Sequence, residues 1–312
     1  MNIWRPASTP VLVFLAALAC VSLFFDSDRR TFPAAETPSA PTQAHFDLVY
    51  KTVGGSDLAL DIYLPTARNQ RAPLVVWIHG GGWRSGSKDR CPVTFLTDSG
   101  YAVASINYRL TTVAPFPAQI EDCKAAIRWL RANADTFGFD RERVAVAGAS
   151  AGGHLAALIG ASGDVKAFDK GEHLNYSSRV QSVVSIFGPT DFTSRPEKPF
   201  GQMQEAEKLV GQLLGGSPEE KKELAVLASP VTHVTKDDPP FLFIHGDKDT
   251  LVPLEQSLVM EKVLKQAGVI ADVHVMKDVG HGLNDPQALV RLSTFLDQTI
   301  GASPKTATAP VN

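Results

Sequence analysis

From about residue 44 onward, short runs of apolar residues alternate with longer segments in which apolar positions recur every three or four residues. A short continuous apolar run indicates a strand covered on both faces, and the longer spacing indicates an amphipathic helix. We therefore predict one α/β domain over residues 44–302, with a mostly parallel sheet and helices on both faces, and a tail at 303–312. The predicted strands are 45–53, 58–65, 73–79, 101–108, 144–148, 183–187, 241–245 and 273–276. The predicted helices are 118–134, 151–158, 254–266 and 286–299.

Two connections in this alternation have patterns of their own. The first two strands are predicted to form a hairpin across the Gly-Gly pair at 54–55. About fifty residues separate the sixth and seventh strands, whereas such loops usually have about 4–6 residues. Within this 188–240 insertion we predict a helix over 205–214 and a second one that begins after Ser217, with Pro218 in its first turn. Structured insertions at strand ends more often shape a ligand site than decorate the surface, so we expect a small helical cap.

The first 43 residues form a separate segment of signal and linker character. After Arg5, an apolar run extends over residues 11–25, and a linker rich in Pro, Ala and Thr follows. This order is typical of a secretory signal, whereas a membrane span needs about 18 or more apolar residues. We predict export to the periplasm or the extracellular space. The alternatives are cleavage at 17–19, later cleavage, and an uncleaved membrane tether through 11–25. Ala17 stands where a lipidation motif prefers Leu, which argues against lipidation of Cys20.

Composition narrows the function classes. The 312 residues are 44% hydrophobic and 20% charged, which excludes a disordered tail protein, a collagen-like repeat and a small disulfide scaffold. The formal net charge of −3 gives no electrostatic case for a nucleic-acid partner. Export would allow Cys91 and Cys123 to pair. However, Cys123 belongs to the apolar stripe of the predicted helix at 118–134, so we expect free thiols.

The strongest chemical signal lies at residues 148–152, which read Gly-Ala-Ser-Ala-Gly. This G-x-S-x-G motif follows a predicted buried strand and opens a predicted helix, and a nucleophilic serine requires such a sharp turn with small neighbours. The helix N-terminus behind Ser150 also favours developing negative charge. A phosphate-binding loop would instead need G-K-[ST] or G-x-G-x-x-G, and neither is present here. We predict that Ser150 is a nucleophile.

The second signal is the His-Gly-Gly-Gly-Trp run at residues 79–83, directly after a predicted buried strand. Consecutive glycines allow the backbone to approach a ligand closely with its N–H groups directed inward. The tetrahedral intermediate of acyl transfer carries an oxyanion that needs such donors. We expect His79 to brace the loop by hydrogen bonding. The predicted oxyanion donors are the amides of Gly81 and Gly82 (or, shifted by one, Trp83) and of Ala151.

A serine nucleophile needs a base, and the base needs an acid that orients it. His281 lies in a loop between the last predicted strand and the last predicted helix, where such folds place catalytic groups. Asp249 follows the seventh predicted strand, with Asp247 as the fallback. We predict His281 as the base and Asp249 as the acid. His154 is assigned to helix packing or capping, and the remaining histidines have no comparable context.

The order Ser, Asp, His along the chain, with HGGGW before it and GASAGG at the nucleophile, resembles the α/β-hydrolase fold. More narrowly, the chain is similar to carboxylesterases of the hormone-sensitive-lipase-like and feruloyl/acetyl-xylan-esterase-like group. It departs from the pure lipase subgroup at Ala149, where that subgroup has Asp, and it lacks a long cap ahead of HGGGW. Both departures favour the esterase branch. Further matching segments are NYRL at 107–110, SAGGH at 150–154, GPTDF at 188–192 and HGDKD at 245–249.

The resemblance implies an eight-stranded sheet, ester substrates and two-step acyl transfer without a cofactor, and no metal ligands are predicted. Ser150 would attack the ester carbonyl while His281 takes its proton, and Asp249 would hold the imidazole tautomer. We therefore predict a serine carboxylesterase that acts on small or carbohydrate-linked esters. Two alternatives stay open. One is an arylformamidase-like amide hydrolase with the same triad, and the other is a non-catalytic binding protein of this fold.

Overall fold

The computed structural model describes residues 43–66, 71–194 and 201–301. The apolar run at 11–25, the linker after it and the predicted tail lie outside these residues. Among the helices that are described, none combines the length and the apolar character needed to cross a membrane.

An eight-stranded sheet forms the centre of the described residues, as predicted. Six strands, β3 to β8, pair in parallel, and β2 pairs antiparallel with both β1 and β4. The spatial order is β1-β2-β4-β3-β5-β6-β7-β8. The strands are β1 (Gln43–Val53), β2 (Ser56–Leu64), β3 (Ala72–Ile78), β4 (Ala102–Ile106), β5 (Phe139–Ala149), β6 (Ser182–Ile186), β7 (Phe241–Gly246) and β8 (Ala271–Met276).

The β1–β2 hairpin turns at Gly54 and Gly55, as the sequence predicted. Their φ values of 58° and 79° are the left-handed values that a two-residue hairpin turn of the primed type requires. Val53 and Ser56 are the last pair of the register before the turn. The hairpin therefore forms at the only position in this stretch where two consecutive residues lack a Cβ.

Helices cover both faces of the sheet. The 118–134 pattern is interrupted at Asn133, whose side-chain amide donates to the Trp129 carbonyl at 2.8 Å and ends the first helix. The α-helices are α1 (Ala118–Ala132), α2 (Ala134–Phe137), α3 (Ala151–Ala161), α4 (Met203–Leu214), α5 (Lys222–Ala228), α6 (Glu255–Gln266) and α7 (Pro286–Thr299). Short 3₁₀ helices lie at Thr94–Ser99, Lys166–Phe168 and Pro230–Thr232.

The sheet separates two apolar cores because side chains alternate along each strand. Leu74, Val76 and Ile78 of β3 join the core that contains α1, α3 and α6. Val75 and Trp77 of the same strand join the core that contains α7. All seven residues of β3 are buried, which explains its uninterrupted apolar sequence.

Cys91 and Cys123 are free thiols on opposite faces of this sheet. Cys123 is buried in the core with α1, whereas Cys91 packs against the core with α7. Because the sheet lies between them, a disulfide would require refolding. Burial raises the pKa of the Cys91 thiol to about 12 and that of the Cys123 thiol well above its usual value. Both side chains are therefore neutral thiols at physiological pH.

The described part of the insertion between β6 and β7 contains two α-helices, but the predicted start of the second is wrong. The Ser217 N–H donates to Glu220 Oε2 at 2.9 Å, and the Glu220 N–H donates to Ser217 Oγ at 3.2 Å. These capping bonds close a single turn. Lys221 then leaves helical geometry, with φ −117° and ψ 43°, and α5 begins at Lys222. The sequence signal identified a real cap, but the helix does not propagate from it.

Candidate active site

Ser150 stands on the sharp turn between β5 and α3. Its φ of 55° and ψ of −118° are strained for a residue that carries a side chain. A Cβ on Gly148 would meet the carbonyl of Gly152, and a Cβ on Gly152 would meet the carbonyl of Ile78. The Ser150 N–H donates to the Ile186 carbonyl at 2.8 Å, which anchors the turn to β6. The G-x-S-x-G pattern is therefore required because neighbouring backbone carbonyls leave no room for a Cβ at either glycine.

Ser150, His281 and Asp249 form one continuous hydrogen-bonded chain at the carboxyl ends of β5, β8 and β7. His281 Nε2 is 2.9 Å from Ser150 Oγ, and His281 Nδ1 is 2.7 Å from Asp249 Oδ2. A carboxylate can only accept, so Nδ1 carries the proton and Nε2 is free to accept the serine hydroxyl. In this tautomer the imidazole can take the proton of an attacking serine.

The Asp249 carboxylate is fully buried and held ionised. Burial would raise its pKa, but hydrogen bonds from His245 and His281 and from the Val252 N–H outweigh burial and hold the pKa well below its usual range. Its Oδ1 accepts the N–H groups of Leu251 and Val252, each at 2.9 Å. These bonds fix the carboxylate plane and leave Oδ2 directed at His281.

His245 supports the acid, and sequence reasoning did not assign it this role. Its Nε2 is 2.8 Å from the Val252 carbonyl and 3.3 Å from Asp249 Oδ2, and its Nδ1 is 2.8 Å from Ser257 Oγ. The Val252 carbonyl can only accept, so Nε2 is protonated and Nδ1 accepts the Ser257 hydroxyl. The available sequence signal was the position of His245, at the end of a buried strand and four residues before Asp249.

Asp247, the fallback acid, bonds the backbone of the His281 loop rather than the imidazole. Its Oδ1 accepts the Asp278 N–H at 2.7 Å, and its own N–H donates to the Met276 carbonyl at 3.1 Å. Next to it, the Lys248 N–H donates to the Val279 carbonyl at 2.9 Å. Hydrogen bonds to the backbone therefore join the loop that carries Asp249 to the loop that carries His281.

The glycine loop after β3 lies against the nucleophile turn. A Cβ on Gly80 would stand 2.8 Å from the Ala149 carbonyl, and Gly81 and Gly82 have φ values of 109° and 59°. Within the described ranges, neither the Gly81 nor the Gly82 N–H donates a backbone hydrogen bond. The Ala151 N–H lies in the first turn of α3, where amides have no intrahelical acceptor. All three predicted donors are therefore available to a ligand.

His79 lies at the base of this loop. Its ring stacks on Tyr108 with the ring centroids 4.4 Å apart, and its Nδ1 is 2.8 Å from the Gly80 carbonyl. The Tyr108 hydroxyl donates to the His79 carbonyl at 3.0 Å. Burial lowers the pKa of His79. This neutral, bonded side chain occupies the bracing position that the sequence suggested.

A cavity of about 490 Å³ opens beside Ser150. Helices α4 and α5 of the insertion supply much of its lining, so the insertion does border the predicted nucleophile. The described residues contain no group of three His, Cys, Asp or Glu side chains arranged to hold a metal ion. Apolar lining residues include Trp83, Phe192, Met203, Leu209, Val210 and Val226, and polar ones include Asp191, Thr193, Ser217 and Lys222.

Comparison with known proteins identifies relatives over most of this body. A family model described as BD-FAE matches residues 60–264. Esterase LipC of Mycobacterium tuberculosis is 37% identical over 192 residues, which are 60% of this chain and 46% of LipC. The chain spans about half the length of the curated relatives it matches first.

Two solved structures match over almost their full length. A truncated carbohydrate esterase from gut microbiota has a TM-score of 0.74 and 31% identity, covering 84% of this chain and 98% of that one. Thermogutta terrifontis esterase 2 phosphonylated by sarin has a TM-score of 0.68 and 26% identity, covering 84% and 94%. The predicted resemblance is confirmed: the chain belongs to the BD-FAE family and has the α/β-hydrolase fold.

Proposed function

We propose that the chain is a serine carboxylic-ester hydrolase in which Ser150 is the nucleophile, His281 the base and Asp249 the orienting acid. The observation that carries the proposal is the unbroken hydrogen-bond chain from Ser150 Oγ through both imidazole nitrogens to Asp249 Oδ2. The strained turn under Ser150 and the unpaired amides beside it add what acyl transfer requires. The esterase relatives make an ester the expected substrate.

In the proposed first step, Ser150 Oγ attacks the ester carbonyl carbon while its proton passes to His281 Nε2. The resulting imidazolium is stabilised by the Asp249 carboxylate, and the oxyanion accepts the N–H groups of Gly81, Gly82 and Ala151. Collapse breaks the bond to the alcohol, which leaves with the proton from His281. Water then attacks the acyl-enzyme with the imidazole again as base, which releases the acid and restores Ser150.

We propose small or carbohydrate-linked esters as substrates. The cavity of about 490 Å³ is large enough for a short acyl group together with part of a sugar. Its apolar wall suits an acyl chain or an aromatic ring, and its polar side chains suit hydroxyl groups. The related gut protein is described as a carbohydrate esterase.

An active-site label combined with a substrate panel tests this proposal. A fluorophosphonate probe should modify Ser150, located by peptide mass spectrometry, and prior labelling should abolish hydrolysis of p-nitrophenyl acetate. The panel adds p-nitrophenyl butyrate, acetylated xylan, methyl ferulate and N-formylkynurenine. Failure to label Ser150 would favour a non-catalytic binding protein. Faster turnover of N-formylkynurenine than of every ester would favour the arylformamidase alternative.

We further propose that the chain is exported, on the basis of the apolar run at 11–25 and its basic start. Expression of the full chain, followed by cell fractionation and N-terminal sequencing, tests this. Mature protein outside the cytoplasm that begins at residue 20 or later indicates a cleaved signal. Full-length protein in the membrane fraction indicates a tether, and full-length protein in the cytoplasm contradicts the proposal.

A further inference from the structure

Trp83 ends the glycine loop with its side chain turned into the protein. The residue has φ 57°, and its side chain is 3% exposed. Its carbonyl accepts the Thr111 N–H at 2.8 Å, and its indole Nε1–H donates to His154 Nδ1 at 3.2 Å. The position of this indole therefore constrains the backbone that carries Gly81 and Gly82.

The acceptor, His154, lies on α3 one turn after Ser150. Its backbone N–H donates to the Ser150 carbonyl at 2.9 Å, and its ring is fully buried. The ring's Nε2 is 2.7 Å from the Ala228 carbonyl. A carbonyl can only accept, so Nε2 carries the proton and Nδ1 is left as the acceptor for Trp83. Burial lowers the pKa of His154 to about 4, which keeps the ring neutral at pH 7.

The series of hydrogen bonds from Trp83 through His154 ends at the cap, because Ala228 is the last residue of α5. The following residue, Ser229, accepts the Phe192 N–H at 2.8 Å and donates to the Ala225 carbonyl at 2.7 Å. The Phe192 ring packs on the His154 ring with the centroids 5.0 Å apart. One imidazole thus connects the glycine loop, the nucleophile helix and the cap.

We propose that His154 is a positioning residue for the oxyanion site. By accepting the Trp83 indole N–H, it fixes the Gly81 and Gly82 amides relative to Ser150, while its bond to the Ala228 carbonyl keeps the proton on Nε2 and leaves Nδ1 free to accept. His154 is not among the residues that line the cavity, so it acts through Trp83. The inference rests on the proposed esterase function, since donor placement affects turnover only where an oxyanion forms.

Two substitutions of His154 separate its two hydrogen bonds. Asn places its amide oxygen near the position of Nδ1, so His154→Asn keeps the acceptor for Trp83 and loses the donor to Ala228. Gln places its amide nitrogen near the position of Nε2, so His154→Gln keeps the donor and loses the acceptor. Trp83→Phe keeps a buried aromatic ring and removes the indole N–H together with the second ring of the indole.

Steady-state hydrolysis of p-nitrophenyl acetate is measured for the three single variants and for Trp83→Phe with His154→Gln. Loss of one oxyanion donor costs about 10²–10³ in kcat, and a displaced donor should cost less. We expect Trp83→Phe and His154→Gln each to lower kcat about tenfold with KM changed less than about twofold. Because both remove the same bond, the double variant should be no slower than the slower single one. His154→Asn should retain kcat within about threefold.

Multiplicative losses in the double variant, an effect on KM alone, or an equal loss in His154→Asn and His154→Gln would each overturn the proposal. Trp83→Phe leaves His154 in place and decides the matter by its kcat if the His154 variants do not fold. The parent protein serves to distinguish failure of this proposal from failure of the proposed esterase function. If it hydrolyses no ester and its Ser150 resists the fluorophosphonate, the proposed function fails and this inference falls with it.

Discussion

Acid should destabilise this protein in part through His154. The imidazole has an ordinary pKa of 6.5, and burial between α3 and α5 lowers it to about 4 in the folded state. Between these values the unfolded chain binds a proton that the folded protein does not. The stabilisation is therefore fully present above pH 6.5 and is lost as pH falls towards 4. The free energy of unfolding changes by about 1.4 kcal/mol per pH unit, so His154 contributes roughly 3 kcal/mol between pH 6.5 and pH 4. About 2 kcal/mol of this contribution is lost by pH 5.

Urea unfolding at pH 7 and pH 5, followed by circular dichroism, measures this loss in the protein and in His154→Asn. Burial also lowers the pKa of His79 and His233, but both residues are present in both proteins and their contributions cancel. The parent protein should lose about 2 kcal/mol more than the variant between the two pH values. Equal losses in the two proteins would mean that His154 titrates alike in the folded and unfolded states and would contradict this prediction.

The remaining predictions concern the acid and the nucleophile turn. Asp249→Asn should lower kcat on p-nitrophenyl acetate by about 10³–10⁴, since an amide cannot hold the Nδ1–H tautomer, while the matched variant Asp247→Asn should lose less than about tenfold. A kcat loss of similar size in both would contradict the assignment of the acid. Gly152→Ala should destabilise by about 3 kcal/mol or more in urea unfolding, because the new Cβ meets the Ile78 carbonyl. Gly211→Ala in α4, where a Cβ would stand 3.7 Å from its nearest neighbour, should leave stability unchanged or raised by up to about 1 kcal/mol.

The sheet was predictable because its signals are local. A strand such as β3 is buried on both faces, so every one of its positions is apolar and no periodicity argument is needed. The hairpin turn is equally local, since Gly54 and Gly55 both adopt φ values that other residues avoid. The start of α5 could not be predicted in this way. Its capping bonds at 217–220 form as expected, but the chain leaves helical geometry at Lys221 before α5 begins.

In the candidate site, too, the residues with a local sequence signal were predictable and those held by long-range contacts were not. Ser150 is marked by steric need, because its turn tolerates only glycine at two positions, and His281 and Asp249 follow strand ends that the apolar pattern defines. The supporting contacts have no local signature. The Trp83–His154 bond joins residues 71 apart in the chain, and it forms only when the glycine loop and α3 pack together. Which side chains of the insertion face the cavity likewise depends on how α4 and α5 dock.

In the proposed mechanism, Ser150 attacks an ester carbonyl with His281 as its base. The most direct test is the rate of p-nitrophenyl acetate hydrolysis by the protein, by Ser150→Ala, and by Ser177→Ala as a matched change at an exposed serine. We predict that Ser150→Ala loses at least about 10³-fold in kcat while Ser177→Ala matches the parent protein. Equal rates for the parent protein and Ser150→Ala would contradict it.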